Sequence, residues 1–266
     1  MSEWARDPLS LFSVRGKVAV VTGASGAFGA LAARVLAAAG AKLVLAAGKA
    51  AELEHAASQC RELGAQVVAL ARRPNTEADC EAIMQAALDA FGELDILVVA
   101  SGLNDVSPIV EMSPERFDQV MHGNVTGAWL ACRSFGKRVI PRGRGGKVIL
   151  VSSARGKLGH PAGYSAYCAS KAATDGLTKA LGCEWGKYGI TVNAIAPTVF
   201  RSPLTAWMFE DNEKARTTRT GMLARIPLGR LGEPEDLAGP LLFLASAASG
   251  FYTGHVLYAD GGYTAG

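Results

Sequence analysis

Short apolar runs rich in β-branched residues alternate along the chain with longer helical stretches. Residues 17–21 form the first such run and precede a helical stretch at 31–39, and the alternation continues, through a long helix at 114–135, as far as residues 191–195. Strands that alternate with amphipathic helices predict βαβ units, in which a parallel sheet is covered on both faces. We therefore expect a doubly wound α/β fold with seven parallel strands, the last at residues 256–258.

The length of the chain favours a single domain. Its 266 residues are 49% apolar, which is enough for one large core, so residues 1–266 are expected to form one dinucleotide-binding and catalytic unit. The connection at about residues 198–227 is unusually long and carries two prolines and the cluster Trp207-Met208-Phe209. Long connections in compact domains are usually functional, so we expect a mobile substrate loop with short helices here.

Composition argues against several classes of function. A net charge of +3, with charges dispersed along the chain, does not suggest nucleic-acid binding. No apolar run is long enough for a membrane span, and the first fifteen residues do not resemble a signal peptide. Five cysteines without metal-ligand spacing fit a reducing compartment, so we expect a cytoplasmic protein with neither disulfide nor metal.

A glycine-rich turn follows the first predicted strand. It reads Thr22-Gly23-Ala24-Ser25-Gly26-Ala27-Phe28-Gly29 and leads into a helix. Glycines let the backbone approach a diphosphate, and a helix N-terminus offers unpaired N–H groups to it. Such turns also occur for packing reasons, so the motif needs support from elsewhere in the chain.

A tyrosine and a lysine four residues apart supply that support. Tyr167 and Lys171 share one face of a predicted helix, which brings the ammonium close to the phenol and, with an oxidised nicotinamide ring, could lower the phenol pKa from about 10 toward 7. Ser153 follows a strand at the edge where parallel sheets bind ligands. The three features together predict proton transfer matched to hydride transfer at carbon.

From about residue 17 to 262 the chain resembles the short-chain dehydrogenase/reductase family. The glycine turn resembles its TGxxxGxG motif, with Ala27 in place of the second of three glycines, and Tyr167 to Lys171 matches YxxxK. The resemblance implies a Rossmann-type fold, Tyr167 as general acid/base, Ser153 orienting the carbonyl, Lys171 also gripping the nicotinamide ribose, and Asn124 holding a water. It also implies a homotetramer.

The same resemblance suggests the residues that contact the cofactor. We expect these to be Gly23, Ser25, Gly26, Phe28, Gly29, Lys49, Arg72, Ser101, Gly102, Tyr167, Lys171, Pro197, Val199 and Phe200. The acidic residue that NAD-dependent relatives carry after the second strand is absent. Lys49 is in reach of a 2′-phosphate, and Arg72 and Arg73 follow the third strand. NADP is therefore favoured over NAD.

The expected reaction is hydride transfer between a nicotinamide cofactor and a ketone or secondary alcohol. Arg155, Tyr164 and Trp207 are candidate substrate contacts, with Lys157, His160 and Arg201 nearby. Arg155 favours a sugar acid or hydroxy acid, and the stretch from Arg155 to Lys171 is similar to gluconate 5-dehydrogenase-type enzymes, whereas Trp207 favours an apolar substrate. The alternatives are reduction of a 3-oxoacyl thioester and a non-catalytic dinucleotide-binding protein.

Overall fold

A seven-stranded parallel sheet forms the centre of the molecule. The computed structural model describes residues 3–266, and the strand order is β3-β2-β1-β4-β5-β6-β7. The strands are β1 Val18–Thr22, β2 Lys42–Ala46, β3 Val67–Leu70, β4 Ile96–Val99, β5 Gly146–Val151, β6 Ile190–Pro197 and β7 Val256–Ala259. Strands β1 to β3 are added toward one edge of the sheet, and β4 to β7 toward the other. The order of the strands therefore switches between β1 and β4, and such a switch point opens a crevice at the carboxyl ends of the strands.

Helices cover both faces of the sheet. They are α1 Glu3–Arg6, α2 Ala27–Ala38, α3 Ala50–Glu62, α4 Glu77–Phe91, α5 Pro114–Met121, α6 Gly127–Val139, α7 Ser165–Trp185, α8 Glu213–Leu223 and α9 Glu235–Ala245. Helices α2, α3 and α9 pack on one face, whereas α4, α6 and α7 pack on the other. Within residues 3–266, no helix is both long and apolar enough to cross a membrane.

The strands bury both of their faces, as the alternation in sequence requires. In β1, Val18 and Val20 pack with α4 and α6, while Ala19 and Val21 pack with α2 and α9. Every residue of β1, β4 and β6 is buried. This explains why the strands read as continuous apolar runs and why they form a rigid platform for residues at their carboxyl ends.

The predicted fold is confirmed, and the differences are local. Residues 114–135, expected as one helix, are interrupted by a π-helical turn at His122–Thr126. Helix α9 was not predicted, because Gly239 and Pro240 break the helical pattern in the sequence. Helix α2 begins at Ala27, four residues earlier than its apolar pattern indicates.

Candidate active site

The glycine turn at the end of β1 allows three backbone segments to meet. Gly23 has φ +66°, and a Cβ there would lie 2.5 Å from the carbonyl carbon of Ala100, so only glycine fits. A Cβ at Gly29 would collide with the main chain of Gly23. Gly26 is the N-cap of α2 and has no side chain with which to cap the helix. The first N–H groups of α2 are thus available to an anion such as a diphosphate.

A groove runs from this turn across the carboxyl ends of β1, β2 and β4. Five of the predicted cofactor contacts line it: Gly23, Ser25, Gly26, Ser101 and Gly102. Phe28 instead lies in the core with 7% of its surface exposed, and Gly29 is buried. The groove suits a dinucleotide because most of the residues that line it are glycine, alanine or serine and it lies at a helix N-terminus.

Two basic residues expected near the cofactor are engaged by carboxylates. Lys49 Nζ lies 2.7 Å from Glu52 Oε1, and Arg72 Nη1 lies 3.1 Å from Asp79 Oδ1. Both side chains of the Lys49–Glu52 pair are more than half exposed, so this pair is weak and a ligand could compete for Lys49, whereas Asp79 in the other pair is only 23% exposed. Lys49 borders the surface next to the groove, whereas Arg72 does not line the groove.

Two other arginines lie closer to the expected cofactor position. Arg73 lines the groove and fills the space that a side chain at Gly48 would occupy. Arg34 lines the adjoining surface between α2 and α3 together with Arg73. The structure therefore places Arg73, not its neighbour Arg72, on the groove.

Tyr167 lies near the start of α7 beside the carboxyl end of β5. Its phenol faces the Ser153 hydroxyl, and Ser153 lies two residues beyond β5 and accepts from the Arg155 N–H at 3.2 Å. Burial raises the pKa of Tyr167, while the nearby Ser153 hydroxyl opposes this shift. The phenol thus holds its proton at neutral pH, which is the state needed to donate it to a carbonyl oxygen.

Lys171 lies one turn after Tyr167 and is buried, with 6% of its surface exposed. Its Nζ donates to the Val151 carbonyl oxygen at 2.7 Å and lies 5.5 Å from the centre of the Tyr167 ring. Burial lowers the pKa of Lys171 to about 8. The expected drop in the Tyr167 pKa toward 7 is absent in the chain alone, because desolvation of the phenolate outweighs the charges around it.

Asn124 lies in the π-helical turn and ties three segments together. Its Nδ2 donates to the Leu103 carbonyl and to Ser170 Oγ, both at 2.9 Å, and its Oδ1 accepts from the Leu103 N–H at 2.7 Å. Gly102 must lack a Cβ, since one would lie 2.9 Å from Asn124 Oδ1. The side chain fastens the segment after β4 to α7, and its predicted water-holding role stays a prediction. π-Helical turns often occur at functional sites.

The segment after β6 lies at the carboxyl edge of the sheet. Pro197 is the last residue of β6, and Phe200 pairs with Gly232 in an isolated bridge. Val199 accepts the Gly232 N–H at 3.0 Å and packs in a small apolar cluster with Tyr263. Val199 and Phe200 are thus held in place by the main chain around Gly232, whereas Pro197 pairs with Ala259 of β7.

The predicted substrate residues Arg155 and Tyr164 lie beside Tyr167. Tyr164 presents its ring edge-on to Tyr167, with ring centres 6.2 Å apart. Arg155 donates to the Tyr263 hydroxyl at 2.9 Å. Lys157, expected nearby, is turned away to donate to the Thr264 carbonyl oxygen. Arg155 and Tyr164 therefore lie next to Tyr167, as predicted for substrate contacts.

The other predicted substrate residue, Trp207, lies on a separate segment. It belongs to the short 3-10 helix Ala206–Phe209, is 39% exposed, and has the Lys214 ammonium 5.2 Å from the centre of its ring. Arg201, near the start of the same connection, pairs with Glu233. Neither side chain has a direct contact with Tyr167 among the hydrogen bonds and ring contacts of residues 3–266.

Comparison with known proteins agrees with this arrangement. A family model described as enoyl-(acyl carrier protein) reductase matches residues 23–264. The chain belongs to the short-chain dehydrogenase/reductase family. As a member of it, the protein is an NAD(P)-dependent oxidoreductase, as the sequence predicted.

Several similar proteins in the family are named for sugars or sugar derivatives. The chain is 38% identical to galactitol 2-dehydrogenase (L-tagatose-forming) of Cereibacter sphaeroides, covering 97% and 99% of the two chains. A gluconate 5-dehydrogenase from Burkholderia cenocepacia, solved in complex with NADP and tartrate, has a TM-score of 0.87 at 30% identity, with coverage of 97% and 99%. The chain is also 55% identical to an uncharacterized oxidoreductase of Mycobacterium tuberculosis over 97% of its length and 94% of the relative.

Several residues near the site escaped the sequence analysis. Arg34 follows Ala27 and Ala30 at helical spacing, so its position on the outer face of α2 could have been found from periodicity. Asp175 lies one turn beyond Lys171 and accepts a hydrogen bond from the Ser152 hydroxyl. Arg225 and Tyr263 are the others; they come from distant parts of the chain and carry no local signal.

Proposed function

We propose that the protein interconverts a ketone and a secondary alcohol on a polyhydroxylated substrate, with NADP(H) as its redox partner. The observation that carries this proposal is that Ser153, Tyr167 and the buried Lys171 meet at the carboxyl end of β5, in a chain that also has the glycine-lined groove. A binding protein has no need of a proton donor at this place. The relatives named for galactitol and gluconate support a sugar-derived substrate.

The proposed residues divide the proton chemistry among them. Bound NADPH would supply the hydride that reduces the carbonyl carbon. Tyr167 then donates its proton to the carbonyl oxygen, and Ser153 hydrogen-bonds to that oxygen and orients it. The Lys171 ammonium favours the phenolate that Tyr167 becomes, because opposite charges in a buried site attract strongly. In the oxidative direction Tyr167 takes the alcohol proton, and the other roles are unchanged.

A preference for NADP over NAD is supported by Arg73 and Arg34. Neither forms an ion pair within the described residues 3–266, and both line the region next to Gly48 where the adenosine ribose of a dinucleotide would lie. No acidic side chain follows β2 before Glu52, which pairs with Lys49. A 2′-phosphate would therefore meet two guanidinium groups without an ion-pair partner among the residues that the structure describes, while the charge of Glu52, which lines the same surface, is paired with that of Lys49.

The proposal also assigns the connection at residues 198–227 as a substrate loop, within a chain that forms one catalytic domain. It includes α8 and a 3-10 helix. Met222 and Leu223 of α8 pack with the buried Tyr263 near the end of the chain. Because Tyr263 also contacts Arg155, the loop adjoins the side of the site where a substrate would extend beyond Tyr167.

The proposal also includes a homotetrameric assembly and a cytoplasmic location. Trp129 on α6 is 48% exposed and lines a groove with Leu181 and Trp185 of α7. An apolar groove across two long helices suits the pairing of subunits in a homotetramer. The five free cysteines suit a reducing cytoplasm.

The proposed function is tested by cofactor oxidation and reduction at 340 nm. A panel of polyols, sugar acids, ketones and a β-keto thioester is assayed with both cofactors. We expect turnover of a sugar-derived member and a 10²- to 10⁴-fold loss in Tyr167→Phe, with NADP binding retained. Tyr188→Phe, an exposed tyrosine after α7, is the matched control. Full activity in Tyr167→Phe, or no turnover of any carbonyl or alcohol, would contradict the proposal.

A further inference from the structure

Two arginines near the catalytic tyrosine lack a carboxylate partner. Ten other arginines form ion pairs within the described part of the chain. Arg155 and Arg225, here called the arginine pair, have no carboxylate oxygen within 4.0 Å among residues 3–266. Positive charge that no protein group neutralises, placed beside a reaction centre, indicates an anionic ligand.

The arginine pair converges on one buried ring. The Arg155 guanidinium lies 5.4 Å and that of Arg225 4.4 Å from the centre of the Tyr263 ring, and Tyr263 is 4% exposed. Arg155 also donates to the Gly159 carbonyl at 2.7 Å and to the Tyr263 hydroxyl at 2.9 Å. Arg155 is thereby held in place with donors to spare, since a guanidinium has five.

The turn that carries Tyr263 is itself fixed to the rest of the site. Asp260 accepts from the Gly262 N–H at 3.0 Å and from the Thr264 N–H at 2.9 Å. Lys157 donates to the Thr264 carbonyl at 2.9 Å. A site whose side chains are held before the ligand arrives loses less entropy on binding.

The arginine pair is close to the reacting groups. Burial lowers the pKa of His160, and the charges of both arginines lower it further, while the charge of Arg155 also acts on Tyr167. The His160 ring lies 4.4 Å from that of Tyr164, which in turn meets Tyr167 edge-on. His160 Nδ1 accepts from the N–H two residues later at 3.1 Å, so in the neutral ring Nε2 carries the proton and can donate.

We propose that Arg155 and Arg225 bind the carboxylate of the substrate, so that the enzyme prefers hydroxy acids and keto acids to neutral polyols. This inference rests on the proposed function, because it places the carbon to be oxidised or reduced at Ser153 and Tyr167. The planar guanidinium matches a carboxylate through paired hydrogen bonds. The gluconate 5-dehydrogenase solved with tartrate is a structural neighbour named for one hydroxy acid and holding another.

A kinetic comparison tests the carboxylate site. D-Gluconate is compared with D-gluconamide, which keeps the hydroxyl groups and loses the charge, and other hydroxy acids of the panel are compared with their amides. We expect kcat/KM to favour the acid by about 10- to 100-fold, mainly through KM. In Arg225→Gln this ratio falls toward one. Equal values for acid and amide in the wild-type enzyme would overturn the proposal.

Arg219→Gln is the matched control. Arg219 lies on α8, six residues before Arg225, and among residues 3–266 its side chain donates only to the carbonyl oxygens of Met208 and Glu210. Its acid-to-amide ratio is expected to equal that of the wild type. A fall as large as that of Arg225→Gln would mean that the loss comes from a disturbed α8 and would overturn the assignment.

A binding measurement separates this proposal from the proposed function. Thermal unfolding of the Tyr167→Phe variant with bound NADP is measured with and without gluconate, tartrate or lactate. We expect at least one of these acids to raise Tm, and we expect the additional substitution Arg225→Gln to abolish that increase. Binding without turnover in the wild type would leave the carboxylate site standing and reject the proposed function. Turnover of neutral ketones without binding of any acid would support the proposed function and reject the carboxylate site. If D-glucitol 6-phosphate raised Tm more than any of the acids, the arginine pair would be a phosphate site, and the proposed carboxylate site would be overturned.

Discussion

The ammonium of Lys171 donates a 2.7 Å hydrogen bond to the carbonyl oxygen of Val151, which joins helix α7 to the end of β5. Lys171 is otherwise desolvated, and its pKa of about 8 lies below the ordinary 10.5. Between these two pH values the unfolded chain binds more protons at this lysine than the folded chain does. The free energy of unfolding therefore rises with pH in this range, and the contribution of Lys171 is lost as the pH falls through 8.

Lys171→Met is therefore expected to abolish turnover and to stabilise the fold at pH 7. The gain is about 1 to 3 kcal/mol after the lost hydrogen bond to Val151 is allowed for. Urea denaturation at pH 7 and pH 9.5 measures it, and the gain should shrink at the higher pH. A variant less stable than the wild type at pH 7 would contradict the cost of the buried charge.

Asp175 is expected to set the pH range of activity through Lys171. Burial lowers the pKa of Lys171, and the Asp175 carboxylate opposes that shift. Asp175→Asn keeps an oxygen for the Ser152 hydroxyl but removes the charge, so the pKa of Lys171 falls further. The loss of kcat at alkaline pH should then begin at lower pH. A purely structural effect would lower the whole profile without moving that limb.

Arg73→Gln is expected to lower kcat/KM for NADPH by about 10- to 100-fold and to change that for NADH little, because one charged hydrogen bond to the 2′-phosphate is lost. Arg72→Gln is the matched control, since Arg72 pairs with Asp79. Kinetics with both cofactors at one salt concentration measure the effect. A larger loss in Arg72→Gln would return the role to that residue.

Gly102→Ala is expected to destabilise the protein by about 1 to 3 kcal/mol and to weaken cofactor binding. The new methyl group would lie 2.9 Å from Asn124 Oδ1 and displace the side chain that holds Leu103. Gly176→Ala in α7 is the control, since a Cβ there meets nothing within 4 Å. Alanine in that helix should stabilise, by roughly 0.5 to 1 kcal/mol. Denaturant unfolding of both variants gives the comparison.

The sequence by itself was sufficient for the fold and for the candidate catalytic residues. The alternation of short β-branched runs with amphipathic helices predicts the parallel sheet, because strands buried on both faces read as continuous apolar runs. The glycine turn and the Tyr167–Lys171 spacing are local patterns. The geometry of the glycine turn is set within that turn, and the geometry of the Tyr167–Lys171 pair is set by one face of a helix. Such features need no knowledge of distant contacts.

Only the tertiary structure decided which basic side chains face the ligands. Arg72 and Arg73 are neighbours in sequence, yet Arg72 turns to Asp79 while Arg73 lies across Gly48. The arginine pair meets on the Tyr263 ring although its members are far apart in the chain. Where a long charged side chain points depends on the partners that folding brings within reach, and no local pattern in the sequence encodes those partners.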